Sequence, residues 1–220
     1  MQSRFYFVSK KTGEKMKLLY ATKNAAKLGS MQRRLTPLGI ELIGLQDLDV
    51  DIPEVEEIGN SPLENAKIKA KAYYEAFHMP VFSCDTGLYF DNVEEEDQPG
   101  VHVRTMNGRI LSDEEMVAYY VNLSKKYHGL TARYKNAICL YLKDGSCYEA
   151  MDAAMESKPF MITDQSRPIR YKGFPLDSIS VDIKTGRHFY NMPEERVDQV
   201  AVEDGFLAFF EKILRDKILE

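Results

Sequence analysis

Met16-Lys17-Leu18-Leu19-Tyr20-Ala21 is a short strand-like run that stops at the helix-capping side chains of Thr22-Lys23-Asn24, after which a 3.6-residue periodicity runs from Ala25 to Leu38. Pro37-Leu38-Gly39 ends that helix, and Ile40-Glu41-Leu42-Ile43-Gly44 alternates as a second strand. Strand, polar turn, helix and strand in this order commit the start of the chain to an α/β crossover. Further on, Lys143-Asp144-Gly145 joins two strand-like segments, Ala132 to Leu142 and Ser146 to Met151, and Asp-Gly is a strong hairpin signal. Crossover and hairpin together predict an α/β fold, a long mixed β-sheet with flanking helices, and two lobes around a central groove suit a chain of 220 residues.

Between these units an acidic loop, Asp47 to Asn60, leads to Ser61-Pro62-Leu63-Glu64, which has the spacing of a capping box with proline at the first helical position. The helix it opens, about Pro62 to Phe77, places Glu64, Ile68 and Lys71 near one side and Asn65, Lys69 and Tyr73 near another. A strand over Val81 to Ser83 follows, and Asp85 is expected where that strand ends and Gly87 lets the chain turn. A helix from Ser112 to Tyr127 and a terminal amphipathic helix from about Glu203 to Leu219 complete the reading. Residues 1–15 precede the first unit and read as an N-terminal extension, with 16–220 a single domain.

Composition narrows the partners. With 29 Lys+Arg against 34 Asp+Glu the chain is mildly acidic, which argues against nonspecific nucleic-acid binding; Glu94-Glu95-Glu96-Asp97 reads as a solvated loop. Cys84, Cys139 and Cys147 form no CxxC pair and leave an odd thiol, so neither a disulfide framework nor a zinc site is expected, and a reducing, cytoplasmic setting fits. No apolar run approaches the roughly 18 residues of a membrane helix, and the N-terminus lacks the pattern of a secretory signal, so no membrane partner is expected.

Three stretches carry candidate chemistry. Thr22, Asn24 and Lys27 combine a hydroxyl, an amide and a lysine at a helix start, which suits a phosphate chain but equally describes an ordinary N-cap with a solvated lysine. Glu54-Val55-Glu56-Glu57-Ile58-Gly59, ahead of Glu64-Asn65-Ala66-Lys67-Ile68-Lys69, offers carboxylates that either bind or simply face solvent. Asp85 either acts on a ligand or caps the following turn.

Taken in order, TKNAAK, EEIGNSPLENAKIKA, CDTGLYFD, QPGVHVR and KGFPLDS resemble the Ham1 or ITPase-like family, nucleoside-triphosphate pyrophosphatases that clear inosine and xanthosine triphosphates; the resemblance spans about Leu18 to Asp182. It implies Mg²⁺-dependent hydrolysis of ITP, XTP or dITP to monophosphate and pyrophosphate by a homodimer. Thr22, Asn24 and Lys27 match the phosphate-binding turn, Glu57 a magnesium ligand, and Lys69 the lysine that meets the triphosphate and acts in catalysis. Asp85 matches the catalytic and metal-binding aspartate, and Thr86 a substrate-contacting hydroxyl. Phe174 and Asp177 match the base-pocket motif, and Arg196 falls in the neighbourhood of a late substrate-binding lysine.

The chain departs from the pattern at several places. Ser30 replaces an acid of the phosphate turn, and Cys84 replaces an acid before Asp85; Cys84 as a nucleophile is the sharper alternative, with no histidine beside it in sequence. Pro175-Leu176 alters the base motif, and Val200-Ala201-Val202 stands where the family has Ser-His-Arg, which leaves base and sugar preference open. Arg187-His188 either replaces those purine readers or is a solvated loop, and Arg104 either touches phosphate or does not. The rival readings are the same fold acting on another nucleotide, and a nucleotide-binding or regulatory protein with weakened catalysis.

Overall fold

A computed structural model describes residues 16–106, 108–169, 174–192 and 205–218. The extension read over 1–15, the site candidate Arg196 and the first residues expected in the terminal helix lie outside them. Strand β1 (Met16–Tyr20) pairs in parallel with β2 (Ile40–Gly44), from Met16↔Ile40 to Tyr20↔Gly44, and helix α1 (Ala25–Leu35) makes the crossover. The expected helix reaches Leu38; instead α1 stops at Leu35 and a 3-10 turn takes Thr36–Leu38. Pro37 has no N–H to continue the α ladder, and Gly39 at φ 74° turns the chain into β2.

Helix α2 (Pro62–Phe77) starts where the capping pattern places it, with Ser61 Oγ accepting the Glu64 N–H at 3.2 Å. Glu64 returns its carboxylate to the Asn60 N–H at 2.7 Å, one residue upstream of the usual capping-box partner. After α2 the structure corrects the sequence reading. Strand β3 does not end at Ser83 but runs from Val81 to Phe90, so Asp85 and Gly87 lie inside it. Gly87 serves close approach rather than a turn: a Cβ there would lie 2.7 Å from the Tyr89 ring and 3.0 Å from the Gly100 carbonyl, and the next residue, Leu88, donates its N–H to that carbonyl.

The short pair β4 (Thr105–Met106) and β5 (Arg109–Ile110) precedes α3 (Asp113–Lys126), whose N-terminus is closed by a Ser112–Glu115 capping box. The hairpin is present as β6 (Leu130–Tyr141) and β7 (Cys147–Ala150), with Gly145 at φ 84° in the turn. Two short strands, β8 (Phe160–Ile162) and β9 (Ser180–Asp182), and helix α4 (Gly205–Ile218) complete the described elements. The main sheet runs β2-β1-β3-β6-β8-β9, and β7 pairs with the end of β6 that β8 leaves uncovered. β1 joins β3 in parallel, while β3 and β6 are antiparallel from Val81↔Tyr141 to Phe90↔Ala132.

Side chains alternate across β3 and β6, and one face carries two separate cores. The first gathers Tyr20, Phe82, Cys84, Ile138 and Leu140 under Leu35 of α1 and Phe206, Phe210 and Ile213 of α4. The second gathers Leu88, Phe90, Ala132 and Phe160 under Met116, Tyr120 and Leu123 of α3. Each fully buried Leu or Phe contributes on the order of 1.5–3 kcal/mol by removal from water. Thr86 and Asn136, paired in register, stand between the two cores, so a polar step separates the lobes. The opposite face is covered by α2, with Ala66 and Ala70 against Ala137 and Cys139. Among the described residues no helix is long and apolar enough to cross a membrane.

Candidate active site

On the face that α2 covers, the helical spacing noted in the sequence brings Asn65, Lys69 and Tyr73 to the sheet and to the acidic loop together. Tyr73 donates its hydroxyl to the Pro53 carbonyl at 3.3 Å, and Lys69 Nζ donates to Glu57 Oε2 at 2.9 Å. Asn65 Oδ1 accepts the Gly59 N–H at 2.8 Å. One side of one helix thus sets the path of the loop that presents Glu57. Gly59 is required there, since a Cβ would lie 2.7 Å from Asn65 Oδ1.

The same side chains reach Asp85. Lys69 Nζ donates to Asp85 Oδ1 at 3.1 Å and approaches the Cys84 carbonyl at 3.5 Å, while Asn65 Nδ2 donates to Asp85 Oδ2 at 3.2 Å. Asp85 is only 9% exposed and Asn65 3%, so both carboxylate oxygens have protein donors in a place with little water. Burial pulls the Lys69 ammonium down, but the Asp85 and Glu57 carboxylates outweigh it and raise it above the ordinary lysine value. Lys69 is therefore a fixed positive charge spanning two carboxylates.

Thr22 and Asn24 close the start of α1: Thr22 Oγ1 accepts the Asn24 N–H at 3.1 Å, and Asn24 Oδ1 accepts the Lys27 N–H at 3.2 Å. This turn brings Lys27 to the cluster. Burial, then repulsion by Lys69, lowers Lys27 below an ordinary lysine, while Asp85, Cys84 and Glu57 pull the other way. Behind Asp85, Cys84 sits with Tyr20 in the first core, and burial pushes its thiol up to about 12. With its side chain on the core face of β3, opposite the face that carries Asp85, and its proton held by burial, Cys84 is poorly placed as a nucleophile, which speaks against the sharper reading.

Other candidates lie elsewhere. Thr86 points to the opposite face from Asp85, where it donates to Asn136 Oδ1 at 2.9 Å, and Asn136 Nδ2 donates to the Met155 carbonyl at 2.8 Å. Phe174 is half-buried at the head of the 3-10 turn Pro175–Ser178. Asp177, in that turn, belongs to the second lobe, near enough to Tyr134 that its charge adds to the burial that raises that hydroxyl. Arg104 pairs with Asp113 at 2.6 Å at the head of α3, and His188 bridges to Val181 beside β9. Asn65 and Asn136 were not read as site residues. The 65-69-73 spacing was the available signal for the first; no sequence signal marks the second.

The arrangement is two carboxylates, a bridging ammonium, a second lysine and a helix start. Among the described residues no three or more His, Cys, Asp or Glu side chains form a group able to hold a metal ion by themselves. Glu57 and Asp85 are hard oxygen donors of the kind that hold a cation jointly with the phosphates of a substrate.

Sheet order and helix placement define an α/β protein of the fold seen in Ham1 structures: the Staphylococcus aureus Ham1 protein superposes with a TM-score of 0.71 at 20% identity, over 91% of this chain and 99% of that one. The Ham1 family profile matches residues 18–201, and the chain belongs to that family. A dITP/XTP pyrophosphatase of Exiguobacterium sp. is 35% identical over 130 residues, which cover 59% of this chain and 65% of that protein, a little under two thirds of its length. The dITP/XTP pyrophosphatase of Leptospira interrogans is 27% identical over 203 residues, 92% of this chain and 99% of that protein.

Proposed function

We propose that this protein hydrolyses nucleoside triphosphates of the inosine and xanthosine type, such as ITP, XTP and dITP, between the α and β phosphates, releasing monophosphate and pyrophosphate. The observation that carries the reading is the junction at Lys69, whose ammonium joins Glu57 of the acidic loop to Asp85 of β3. The names of the relatives in Exiguobacterium and Leptospira support the substrate class.

In this reading Glu57 and Asp85 hold Mg²⁺, which supplies Lewis-acid polarisation of the phosphates when bound. Two carboxylates would suffice as the protein's share of the ligands, since Mg²⁺ sites of this kind commonly draw their other oxygens from water and substrate. Asp85 orients the attacking water and accepts its proton; Asn65 holds the carboxylate in place for that task. Lys69 and Lys27 offset charge on the triphosphate and on the leaving pyrophosphate, an effect strengthened by their half-buried setting. The N-terminus of α1, with Thr22 and Asn24, receives phosphate oxygens. Thr86, Phe174, Asp177 and Arg196, at the positions of the family's substrate-contacting motifs, meet the sugar and base in the same reading. Residues 16–220 act as one domain, the protein works as a homodimer in the cytoplasm, and the free thiols of the described cysteines fit that compartment.

The test is pyrophosphate release across ITP, XTP, dITP, dUTP and the common triphosphates, with Mg²⁺ and with chelator. Metal-dependent release favouring ITP and XTP is expected. No release from any triphosphate would leave a nucleotide-binding protein instead.

A further inference from the structure

On the α2 face of the sheet, Cys139 of β6 and Cys147 of β7 stand with their sulfurs 3.6 Å apart. The ladder pairs Cys139 with Glu149 and Cys147 with Tyr141, so the two cysteines are diagonal neighbours on one face. Cys139 is buried against Ala66 and Ala70 of α2, whereas Cys147 is exposed at the sheet edge, and both are free thiols. We propose that this pair is a redox modification site at which a hydroperoxide converts the two thiols into an intrachain disulfide.

The geometry assigns the order of steps. Cys147, the accessible sulfur, attacks the peroxide as thiolate; the O–O bond breaks, the departing oxygen takes a proton as water, and Cys147 becomes a sulfenic acid. The Cys139 sulfur then attacks the Cys147 sulfur, the S–O bond breaks, and the hydroxide leaves with the Cys139 proton as water. Two thiols lose two electrons and two protons, and hydrogen peroxide is reduced to two waters. Burial and the neighbouring Cys147 hold the Cys139 thiol above its ordinary range, which makes it the resolving rather than the attacking group; contact at 3.6 Å compensates for its weak acidity. Bond formation brings the sulfurs from 3.6 Å to about 2.05 Å, with the edge strand β7 adjusting to the disulfide's geometry.

The bond would fasten an edge strand. Among the described residues β7 joins the sheet along Ile138–Tyr141 of β6 alone, and its Glu149 pairs with Lys67 of α2 at 2.8 Å. Cross-linking constrains the unfolded chain, so the oxidised protein melts at a higher temperature than the reduced one. Cys84, deep in the first core with its thiol pushed up to about 12, is an internal control.

The experiment treats the full-length protein with stoichiometric hydrogen peroxide and follows thiol count, intact mass and peptide map, a result independent of which nucleotide the active site takes. Free thiols are expected to fall from three to the single Cys84, with loss of two hydrogen atoms, a peptide linking Cys139 to Cys147, and reversal by dithiothreitol. Cys147→Ser should keep Cys139 as a thiol, and Cys139→Ala should leave Cys147 oxygenated without an intrachain link. Persistence of all thiols in the parent, an oxygenated Cys147 beside a free Cys139, a link to Cys84, or a link between chains would each overturn the proposal.

Discussion

Asn65 and Asp85, twenty residues apart in the chain, are joined by a 3.2 Å hydrogen bond from Asn65 Nδ2 to Asp85 Oδ2 while the same amide accepts the Gly59 N–H. One buried side chain therefore sets both the aspartate and the loop that carries Glu57. Asn65→Ala leaves the Gly59 N–H and one Asp85 oxygen without these partners, a cost of about 1–3 kcal/mol. Chemical denaturation should show that loss together with a fall in turnover. Asn65→Asp, which keeps the acceptor but loses the donor and adds negative charge, should lower turnover more than stability. Equal turnover in parent and both variants would remove the positioning role.

Asp85→Asn keeps shape and loses the charge that accepts a proton. Pyrophosphate release should fall on the order of 10²–10⁴-fold, the usual contribution of a positioned general base. A variant as active as the parent would sink its assigned role.

Gly59→Ala forces a methyl to within 2.7 Å of Asn65 Oδ1 and Glu64 Cβ. The loop must then leave α2, moving Glu57 away from Lys69, so metal-dependent activity should require more Mg²⁺ for half-maximal rate. An unchanged Mg²⁺ titration would show that Glu57 is held by other means.

Gly205 opens α4 against the Ala153–Met155 turn, where a Cβ would meet the Ala154 carbonyl oxygen at 2.0 Å. Gly205→Ala should destabilise by about 1–3 kcal/mol, as overpacking of a tight contact does. Thermal unfolding measures it, and an unaltered midpoint would contradict this docking of α4.

Lys126, at 2.6 Å, and Tyr127 both donate to Asp97 Oδ2 and hold its carboxyl below the usual range. A carboxyl depressed in the folded state adds stability that is fully present above its unfolded value and is lost as pH falls through the folded one. Asp97→Asn should melt below the parent at neutral pH, with the gap closing in acid. A gap constant across that range would remove the contact from the stability of the fold.

Local patterns foretold the crossover β1-α1-β2, the capped start of α2 and the Asp-Gly hairpin because each is written in neighbouring residues. What escaped is long-range. Gly87 reads as a turn until Tyr89 and Gly100 are seen against it, and only then does β3 continue to Phe90. Strands β8 and β9 are three residues each, too short for alternation to stand out. In the site, Asp85, Lys69 and Glu57 converge as the motif order implied. Thr86 does not join them, because strand alternation turns it to the other face, where Asn136 awaits it from a strand fifty residues on.

The ladder between β3 and β6 crosses the polar step at Thr86–Asn136 without a break. The lobes thus share a spine. Two lobes on such a spine do not separate by parting strands; they move only as the paired strands flex or as the helices above them shift. A bound nucleotide would act on this protein as a load acts on a beam, bending two cores about one unbroken pair of strands.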